Sequence, residues 1–273
     1  MMVEPSTTYS SISTIHYSKY LKREVRVDFY FPAKYPKNCR LLFLNDGQDA
    51  VQLMLKPTLN NLFAAKKIQP LIVAAIYAGE KRMLEYGIAS KADYLKRGRM
   101  AKFYTQFVIK ELLPLTTQMM QLKTTPDKTA IAGFSLGGLT AFDMAWNHPE
   151  IFGITGIFSG SFWWRKKDYT AGYTDNDRIM HEIIRKTKIK PELKCWIQTG
   201  TDDEKADRNK NGIIDSIDDS LDLIKEMKAK GFSDKDIQYV EIKGGQHNQQ
   251  TWASALPLFL QWAFGNKKKV DIY

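Results

Sequence analysis

The chain has 273 residues, of which 44% are hydrophobic and 26% charged, a composition typical of a globular protein with one large domain or two small ones. It carries a net charge of +10, but the basic residues are scattered and form no aromatic-interleaved stripe of the kind found in nucleic-acid-binding motifs. The sequence therefore contains no recognisable nucleic-acid-binding motif. We interpret the positive charge as solvated lysines on exposed surfaces, with attraction of an anionic substrate as the weaker alternative.

The first residues, from Met1 onward, lack the basic start and apolar run of a signal peptide. No stretch of the sequence approaches the roughly 18 apolar residues that a membrane span needs. We therefore expect a cytoplasmic protein, with a trimmed form of an exported protein as the alternative. The two cysteines, Cys39 and Cys195, define no disulfide framework, so we expect two buried free thiols.

Short apolar runs alternate with helix-forming segments along the chain. The predicted strands are 25–31, 40–44, 70–77, 129–133, 154–158, 193–198 and 237–242, and the predicted helices are 101–121 (kinked at Pro114), 136–147, 220–230 and 252–264. This alternation predicts a single α/β domain over residues 1–273, with a mostly parallel central sheet covered by helices on both faces. The less regular segments 78–100 and 159–178 are expected to shape a substrate pocket.

A Gly-x-Ser-x-Gly motif centred on Ser135 lies between a predicted strand and a predicted helix. The motif predicts a sharp, strained turn that exposes the serine, because the flanking glycines lack a Cβ where side chains would collide. Ser135 is then the nucleophile of acyl transfer or ester hydrolysis, and the Leu136 N–H is an oxyanion donor. The alternative is a glycine-rich turn that only packs the helix against the strand.

A serine nucleophile needs a histidine base and a carboxylate, which follow it in the order acid, then histidine, in α/β hydrolases. Of the four histidines, His247 lies just past the last predicted strand and is our choice as base; the alternative is an exposed loop histidine. Three neighbouring carboxylates follow strand 193–198. We choose Asp203 as the acid, with Asp202 as the main alternative and Glu204 as the third.

The second oxyanion donor is expected from the loop after strand 40–44. Gly47 and Gln48 supply the candidate backbone N–H groups there. Two donors aimed at the developing oxyanion would contribute roughly 3 kcal/mol each, by analogy with other serine hydrolases.

Several segments spread over most of the chain carry a family resemblance. They are 43–48, 82–86, 133–138, 148–153, 159–164, 200–204 and 245–247 followed by Trp252. Together they resemble the esterase D-like branch of the α/β hydrolases, which includes enterochelin, feruloyl and acetylxylan esterases. The resemblance implies the α/β-hydrolase fold, with Ser135 as nucleophile, His247 as base and Asp203 as acid.

The resemblance also implies substrate-binding positions. It suggests that Arg82, Glu85 and Tyr86 lie near the mouth of the active site; a local Arg82–Glu85 ion pair that supports the loop is the alternative for the two charged residues. Trp163 or Trp164 would line an acyl or aryl pocket, with packing in the core as an equal alternative.

The segment after the acid resembles an EF-hand loop. The ligands would be Asp207, Asn209, Asn211, the Ile213 carbonyl, Asp215 and Asp218, with Gly212 at the turn. Aspartate replaces glutamate at the last position and no clear helix precedes the loop. We therefore expect a structural Ca²⁺ site of modest affinity. Such a site fits an extracytoplasmic protein better than the cytoplasmic location expected above. The alternative is a polar loop in which Ser216 caps the next helix and Asp219 completes a capping box.

The combined prediction is a serine carboxylic-ester hydrolase with a Ser-His-Asp triad and an acyl-enzyme intermediate. Its partner would be a small-molecule ester, and no cofactor is required for the chemistry. Two alternatives stay open: an acyltransferase of the same fold, and a catalytically silent scaffold that binds a ligand or carbohydrate.

Overall fold

The computed structural model describes residues 8–266 and contains one eight-stranded sheet. The strands are β1 (Tyr9–Ser18), β2 (Arg23–Pro32), β3 (Arg40–Asn45), β4 (Leu71–Ile76), β5 (Thr129–Phe134), β6 (Ile154–Phe158), β7 (Lys194–Asp202) and β8 (Ile237–Gln246). Their spatial order is β1-β2-β4-β3-β5-β6-β7-β8. The β1–β2 and β2–β4 pairs are antiparallel, and all pairs from β4 to β8 are parallel.

Helices cover both faces of this sheet. They are α1 (Leu55–Ala64), α2 (Arg82–Glu85), α3 (Ala101–Phe107), α4 (Leu113–Met119), α5 (Leu136–Asn147), α6 (Ile179–Lys186), α7 (Asp215–Ala229) and α8 (Gln249–Phe264). Two apolar clusters result. One buries side chains of α3, α5, α6 and α7 on one face, and the other buries side chains of α1 and α8 on the opposite face. The predicted mostly parallel sheet with helices on both faces is confirmed.

Two predicted helices differ in detail. The segment 101–121 is one helical rod, but a π-helical turn (Val108–Leu112) joins α3 to α4 immediately before Pro114. Proline lacks an N–H and disrupts the regular hydrogen-bond ladder of a helix, which accounts for an irregular turn at this point. Helix α7 begins at Asp215, five residues before the predicted start. The polar Asp-Ser-Ile-Asp-Asp stretch hides this first turn from a hydrophobicity pattern.

Other expectations concern the cysteines and the ends of the chain. Cys39 and Cys195 are both buried free thiols, as predicted. Across residues 8–266, no helix is long and apolar enough to cross a membrane. The signal-peptide prediction concerned the first residues of the chain, which lie outside the described residues.

The parallel ladder determines where chemistry can collect. Strands β3, β5, β6, β7 and β8 all run in the same direction, so their carboxyl ends meet at one edge of the sheet. Open α/β sheets bind ligands in the crevice outside this edge. Every residue predicted for catalysis follows one of these strands directly.

Candidate active site

Ser135 occupies a strained turn between β5 and α5. Its backbone angles are φ +54° and ψ −122°, a region that non-glycine residues rarely adopt. A Cβ added at Gly133 would lie 2.4 Å from the Gly137 carbonyl oxygen, and one added at Gly137 would lie 2.6 Å from the Asp46 carboxylate. Both glycines of the motif are therefore required by close contacts, and the turn has the geometry that the motif predicted.

Backbone hydrogen bonds hold the Ser135 turn. The Ser135 N–H donates to the Phe158 carbonyl at 2.8 Å, and the Ser135 carbonyl accepts from the Ser161 N–H at 3.2 Å. Leu136 begins α5, and the first N–H groups of a helix have no acceptor within it. The partial positive charge of the helix N-terminus adds to their attraction for an anion. The Leu136 N–H is therefore suited to the oxyanion role predicted for it.

Asp46 fixes the loop that carries the other two oxyanion candidates. It adopts φ +60°, and Gly47 begins a single 3₁₀ turn directly after it. A Cβ at Gly47 would lie 2.6 Å from both the carbonyl carbon and oxygen of Ala75, so this backbone is pressed against β4. The Gln48 side chain donates to Asp46 Oδ1 at 3.1 Å and accepts from the Ala78 N–H at 3.0 Å. Because the side chain is engaged in these bonds, the backbone N–H is the group of Gln48 considered as an oxyanion donor.

Arg82 clamps this loop from the side. Its guanidinium donates from Nε to Asp46 Oδ1 and from Nη2 to Asp46 Oδ2, each at 2.7 Å. Burial lowers the pKa of Arg82, but its hydrogen bonds and attraction to Asp46 outweigh this effect and raise the pKa above its usual value. The Arg82 side chain keeps 29% of its surface exposed, whereas that of Asp46 keeps only 2%. The clamp therefore holds a buried carboxylate next to Gly47.

The local ion pair suggested for Arg82 and Glu85 is not formed. Glu85 is fully buried and accepts two hydrogen bonds from Arg23, at 2.9 and 2.6 Å, while Arg82 pairs with Asp46. Short helix α2 presents the two side chains to different partners, so the three-residue spacing brings no contact between them.

Tyr86, the third residue of this group, is also fully buried. Its hydroxyl accepts from the Asp46 N–H at 3.3 Å, and burial raises its pKa well above the usual range. In this conformation Tyr86 supports the Asp46 loop from within the core, whereas Glu85 holds Arg23. Among the three, Arg82 is the residue with surface available to a ligand.

Asp203 and His247 lie together at the ends of β7 and β8. His247 Nδ1 is 3.9 Å from Asp203 Oδ2, and the Asp203 carboxylate is fully buried while the His247 side chain is 40% exposed. Among the residues that the structure describes, neither carboxylate oxygen of Asp203 has a hydrogen-bond partner, so a buried acceptor faces the imidazole. Asp202, the alternative acid, is exposed. Of the neighbouring carboxylates, Asp203 has the burial and the contact that the acid role requires.

The two candidate pocket tryptophans have different environments. Trp164 is fully buried, and its ring occupies the space over Gly87 and Gly98, so it packs in the core. Trp163 is half-buried, and the Arg97 guanidinium lies 4.8 Å above its ring. Of the two alternatives given for this pair, core packing describes Trp164, and Trp163 is the one with surface available for a pocket.

The EF-hand-like loop is closed by hydrogen bonds among its own side chains. The amides of Asn209 and Asn211 both donate to Asp218 Oδ2 at 2.8 Å, and Asp207 accepts from the Asn211 and Gly212 N–H groups. The Ile213 N–H donates to Asn211 Oδ1. Gly212 has φ +84°, as expected for the turn position. Four of the predicted ligand residues thus converge.

Asp215 does not join this group. It contacts Arg208, which ion-pairs with it at 3.2 Å through Nη1 and donates to it through the backbone N–H at 2.9 Å. Within residues 8–266, no group of three or more His, Cys, Asp or Glu side chains is arranged to hold a metal ion.

The alternative given for this loop, a Ser216 cap with an Asp219 capping box, is not formed. Helix α7 begins at Asp215 without a side-chain cap, so Ser216 does not cap it. Asp219 instead pairs with Arg178 and Arg208, each at 2.5 Å. Because the helix already begins at Asp215, Ser216 and Asp219 lie inside it and no capping box forms.

A cavity of about 600 Å³ lies away from these residues. Its lining includes Arg40 and Lys194, at the starts of β3 and β7. It therefore opens at the amino-terminal edge of the sheet, opposite Ser135, and none of the predicted site residues lines it.

Asp46 is a residue of this site to which the sequence analysis gave no role. The signal for it was local: an aspartate before a glycine, at the end of a buried strand, tolerates the left-handed backbone that this loop needs. Its partner Arg82 is 36 residues away, which sequence spacing alone does not reveal.

Comparisons with known proteins place this architecture in a family. The family model described as "Putative esterase" matches residues 18–262. The chain is 22% identical over 252 residues to the uncharacterized protein YbbA of Bacillus subtilis (strain 168), covering 89% of this chain and 94% of that protein. It is 30% identical over 125 residues to the iron(III) enterobactin esterase of Escherichia coli (strain K12), covering 45% of this chain but only 29% of that protein.

Solved structures share the fold. The enterobactin esterase of Shigella flexneri superposes with a TM-score of 0.73 at 21% identity, over 93% of this chain and 59% of that chain. A ferulic acid esterase superposes with a TM-score of 0.71 at 16% identity, over 94% of this chain and 98% of that chain. The chain thus spans about three-fifths of the enterobactin esterase structure. These matches support a carboxylic ester hydrolase and confirm the predicted resemblance: the chain belongs to the esterase family of the α/β hydrolases.

Proposed function

We propose that this protein hydrolyses carboxylic esters through a Ser135–His247–Asp203 triad and an acyl-enzyme intermediate. One observation carries the proposal. The strained Ser135 turn follows β5 at the same sheet edge where the buried Asp203 carboxylate faces the His247 imidazole at 3.9 Å. Catalytic hydrogen bonds are often long in unliganded enzymes and tighten in the substrate complex, so a shift of about 1 Å would complete the Asp203–His247 bond.

In the proposed reaction Ser135 Oγ attacks the ester carbonyl carbon, and its proton passes to His247. The N–H of Leu136 and that of Gly47 or Gln48 stabilise the negative oxygen of the tetrahedral intermediate. The alcohol leaves with the proton from His247, and the acyl group stays on Ser135. Water then attacks the acyl carbon and gives a proton to His247, which passes it to Ser135 Oγ as the acid is released. Asp203 orients the imidazole and stabilises its cation throughout.

The names of the relatives suggest the substrate class. Relatives are named enterobactin esterase and feruloyl esterase, so we propose an ester whose acyl part carries an aromatic ring, with Arg82 and Trp163 at the pocket. The proposed reaction uses no cofactor, and any Ca²⁺ in loop 207–218 would serve structure alone.

The first experiment tests the nucleophile. The purified protein is assayed with p-nitrophenyl acetate, methyl ferulate and enterobactin, and is treated with a fluorophosphonate probe. We expect turnover and covalent labelling by the wild type and neither by Ser135→Ala. Equal labelling of Ser135→Ala and the wild type would refute the proposal.

The second experiment uses the neighbouring aspartates as a matched pair. Asp203→Asn removes the buried charge facing His247, and kcat should fall roughly 10²–10⁴-fold, the range over which positioned acid–base groups contribute. Asp202→Asn changes an exposed carboxylate one residue away and should leave kcat within about threefold of the wild type, because exposed charges contribute little. The reverse order would reassign the acid to Asp202.

Acyl transfer to an alcohol is tested in the same assays. Adding glycerol or a sugar acceptor and analysing the products separates hydrolysis from transfer. The free acid should dominate if water is the acceptor, and a new ester would indicate a transferase.

A further inference from the structure

Trp252 is the aromatic neighbour of the proposed base. It lies on α8, five residues after His247, and only 5% of its surface is exposed. The two ring centroids are 5.2 Å apart with planes at 81°, an edge-to-face contact that aromatic rings favour. The imidazole therefore has the Asp203 carboxylate as one neighbour and the indole as another, while 40% of its side chain faces solvent.

The indole itself is firmly held. Its Nε1–H donates to Ser159 Oγ at 3.0 Å in a buried hydrogen bond. Its ring lies 5.2 Å from that of Phe134, the residue before Ser135, and Phe134 packs in turn on Phe158 at 5.0 Å. The indole thus contacts the ends of β5 and β6 on one side and His247 on the other. It spans the distance between the serine turn and the histidine loop.

Ser159 holds its hydroxyl in place at the cost of backbone strain. It follows β6 directly with φ +47°, where a non-glycine residue is disfavoured by roughly 1 kcal/mol or more. Its N–H donates to the Gln198 carbonyl at 2.8 Å, which ties it to β7, and only 2% of its surface is exposed. A glycine would relieve the strain, but it would leave the buried indole N–H without an acceptor.

We propose that Ser159 and Trp252 are positioning residues for His247. The Ser159 hydroxyl fixes the plane of the indole, and the indole ring limits the rotation of an imidazole whose side chain is 40% exposed. This keeps the ring aligned between Asp203 and the serine turn when substrate binds. The inference rests on the proposed function, because it assigns the two residues to the proton-transfer step of the same reaction.

The experiment compares graded variants at both positions. Trp252→Phe keeps an aromatic ring but loses the N–H, and Trp252→Ala loses both. Ser159→Ala removes the hydroxyl and keeps the strain, whereas Ser159→Gly removes both. The matched control is Trp262→Phe, on the same helix but in contact with Trp196 instead. Each variant is checked by circular dichroism and thermal unfolding before kinetics on p-nitrophenyl acetate.

We expect a defect in kcat rather than in KM. Trp252→Ala should lower kcat about 100-fold with KM within twofold, since a mispositioned base loses a large part of the 10²–10⁴-fold that acid–base catalysis supplies. Trp252→Phe should recover part of this loss but stay roughly tenfold below the wild type, because the ring contact with His247 remains while the hydrogen bond that fixes the ring is lost. Ser159→Ala and Ser159→Gly should resemble Trp252→Phe, and Trp262→Phe should match the wild type.

Folded Trp252→Phe and Ser159→Gly variants with wild-type kcat would overturn the inference, even if Trp252→Ala fails to fold. A change confined to KM would also overturn it, because it would indicate substrate contact instead of positioning. Loss of activity in Ser159→Ala but not in Ser159→Gly would exclude the hydrogen bond as the cause. Activity in Ser135→Ala would instead refute the proposed function itself, so the two failures are distinguishable.

Discussion

The Arg82–Asp46 clamp offers the sharpest test of how this site is built. Arg82→Met removes the guanidinium that makes two 2.7 Å hydrogen bonds to Asp46 and leaves the buried carboxylate without its cation. Breaking a buried ion pair costs roughly 3–5 kcal/mol. Gln48 still donates to Asp46 Oδ1, so we expect the lower end, about 3 kcal/mol of unfolding free energy.

The same substitution should impair catalysis. The Asp46 loop carries Gly47 and Gln48, the proposed source of the second oxyanion donor, and displacing one such donor costs about 10²–10³-fold in kcat. The control is Arg23→Met, which breaks the equally bidentate pair with buried Glu85 but leaves the Asp46 loop clamped. Urea unfolding should give a similar loss of stability for both variants, while kcat should fall sharply only for Arg82→Met.

A double substitution separates charge from geometry. Asp46→Asn in the Arg82→Met background removes the uncompensated buried charge, so it should recover part of the lost stability but not the lost kcat. Equal losses of kcat in Arg82→Met and Arg23→Met would refute the reasoning, because the defect would then follow from general destabilisation. If the free energy of unfolding of Arg82→Met lay within about 0.5 kcal/mol of the wild-type value, the clamp would contribute far less stability than a buried ion pair is expected to contribute.

Three further predictions concern stability and metal binding. Burial raises the pKa of the Asp143 carboxyl to about 7, so the folded state favours its protonated form. The free energy of unfolding in urea should therefore decline as pH rises from about 4 through about 7. The decline should be smaller in Asp143→Asn. Gly47→Ala should sharply lower both stability and kcat, because its Cβ would meet the Ala75 backbone at 2.6 Å; wild-type values in urea unfolding and the ester assay would contradict the close approach. If loop 207–218 binds Ca²⁺, the midpoint of thermal unfolding of the wild type should be higher with calcium than with EDTA, whereas Asp218→Asn should show no difference. Equal midpoints with calcium and with EDTA in the wild type would exclude a structural ion.

The sequence predicts best those features that depend on neighbours along the chain. The Ser135 turn is an example, because Gly133, Gly137 and the flanking strand and helix all lie within a few residues. The helix after it was predicted with the bounds that the structure has. The parallel strands were predictable for the same reason: a strand buried on both faces is a continuous apolar run.

Partners distant in the sequence could not be predicted in this way. The spacing of Arg82 and Glu85 suggested a local pair, yet their partners Asp46 and Arg23 lie 36 and 62 residues away. The choice between Asp202 and Asp203 falls where the register between β7 and β8 shifts, between Gly200 and Asp202. At the end of β7, Asp202 is exposed and Asp203 is buried, and two adjacent carboxylates carry no sequence signal for this difference.

The acid-bearing loop shows how far such distant contacts extend. Buried Asp219 accepts from Arg208, which lies in the loop after Asp203, and from Arg178, which lies at the end of the 159–178 insertion. Arg208 also reaches Asp175 in that insertion at 3.2 Å. These ion pairs tie the loop that follows the proposed acid to the segment expected to form the pocket wall. We therefore expect a substitution such as Arg178→Met, which removes one of the two partners of Asp219, to disturb the proposed Asp203–His247 pair through this network and to lower kcat in the ester assay.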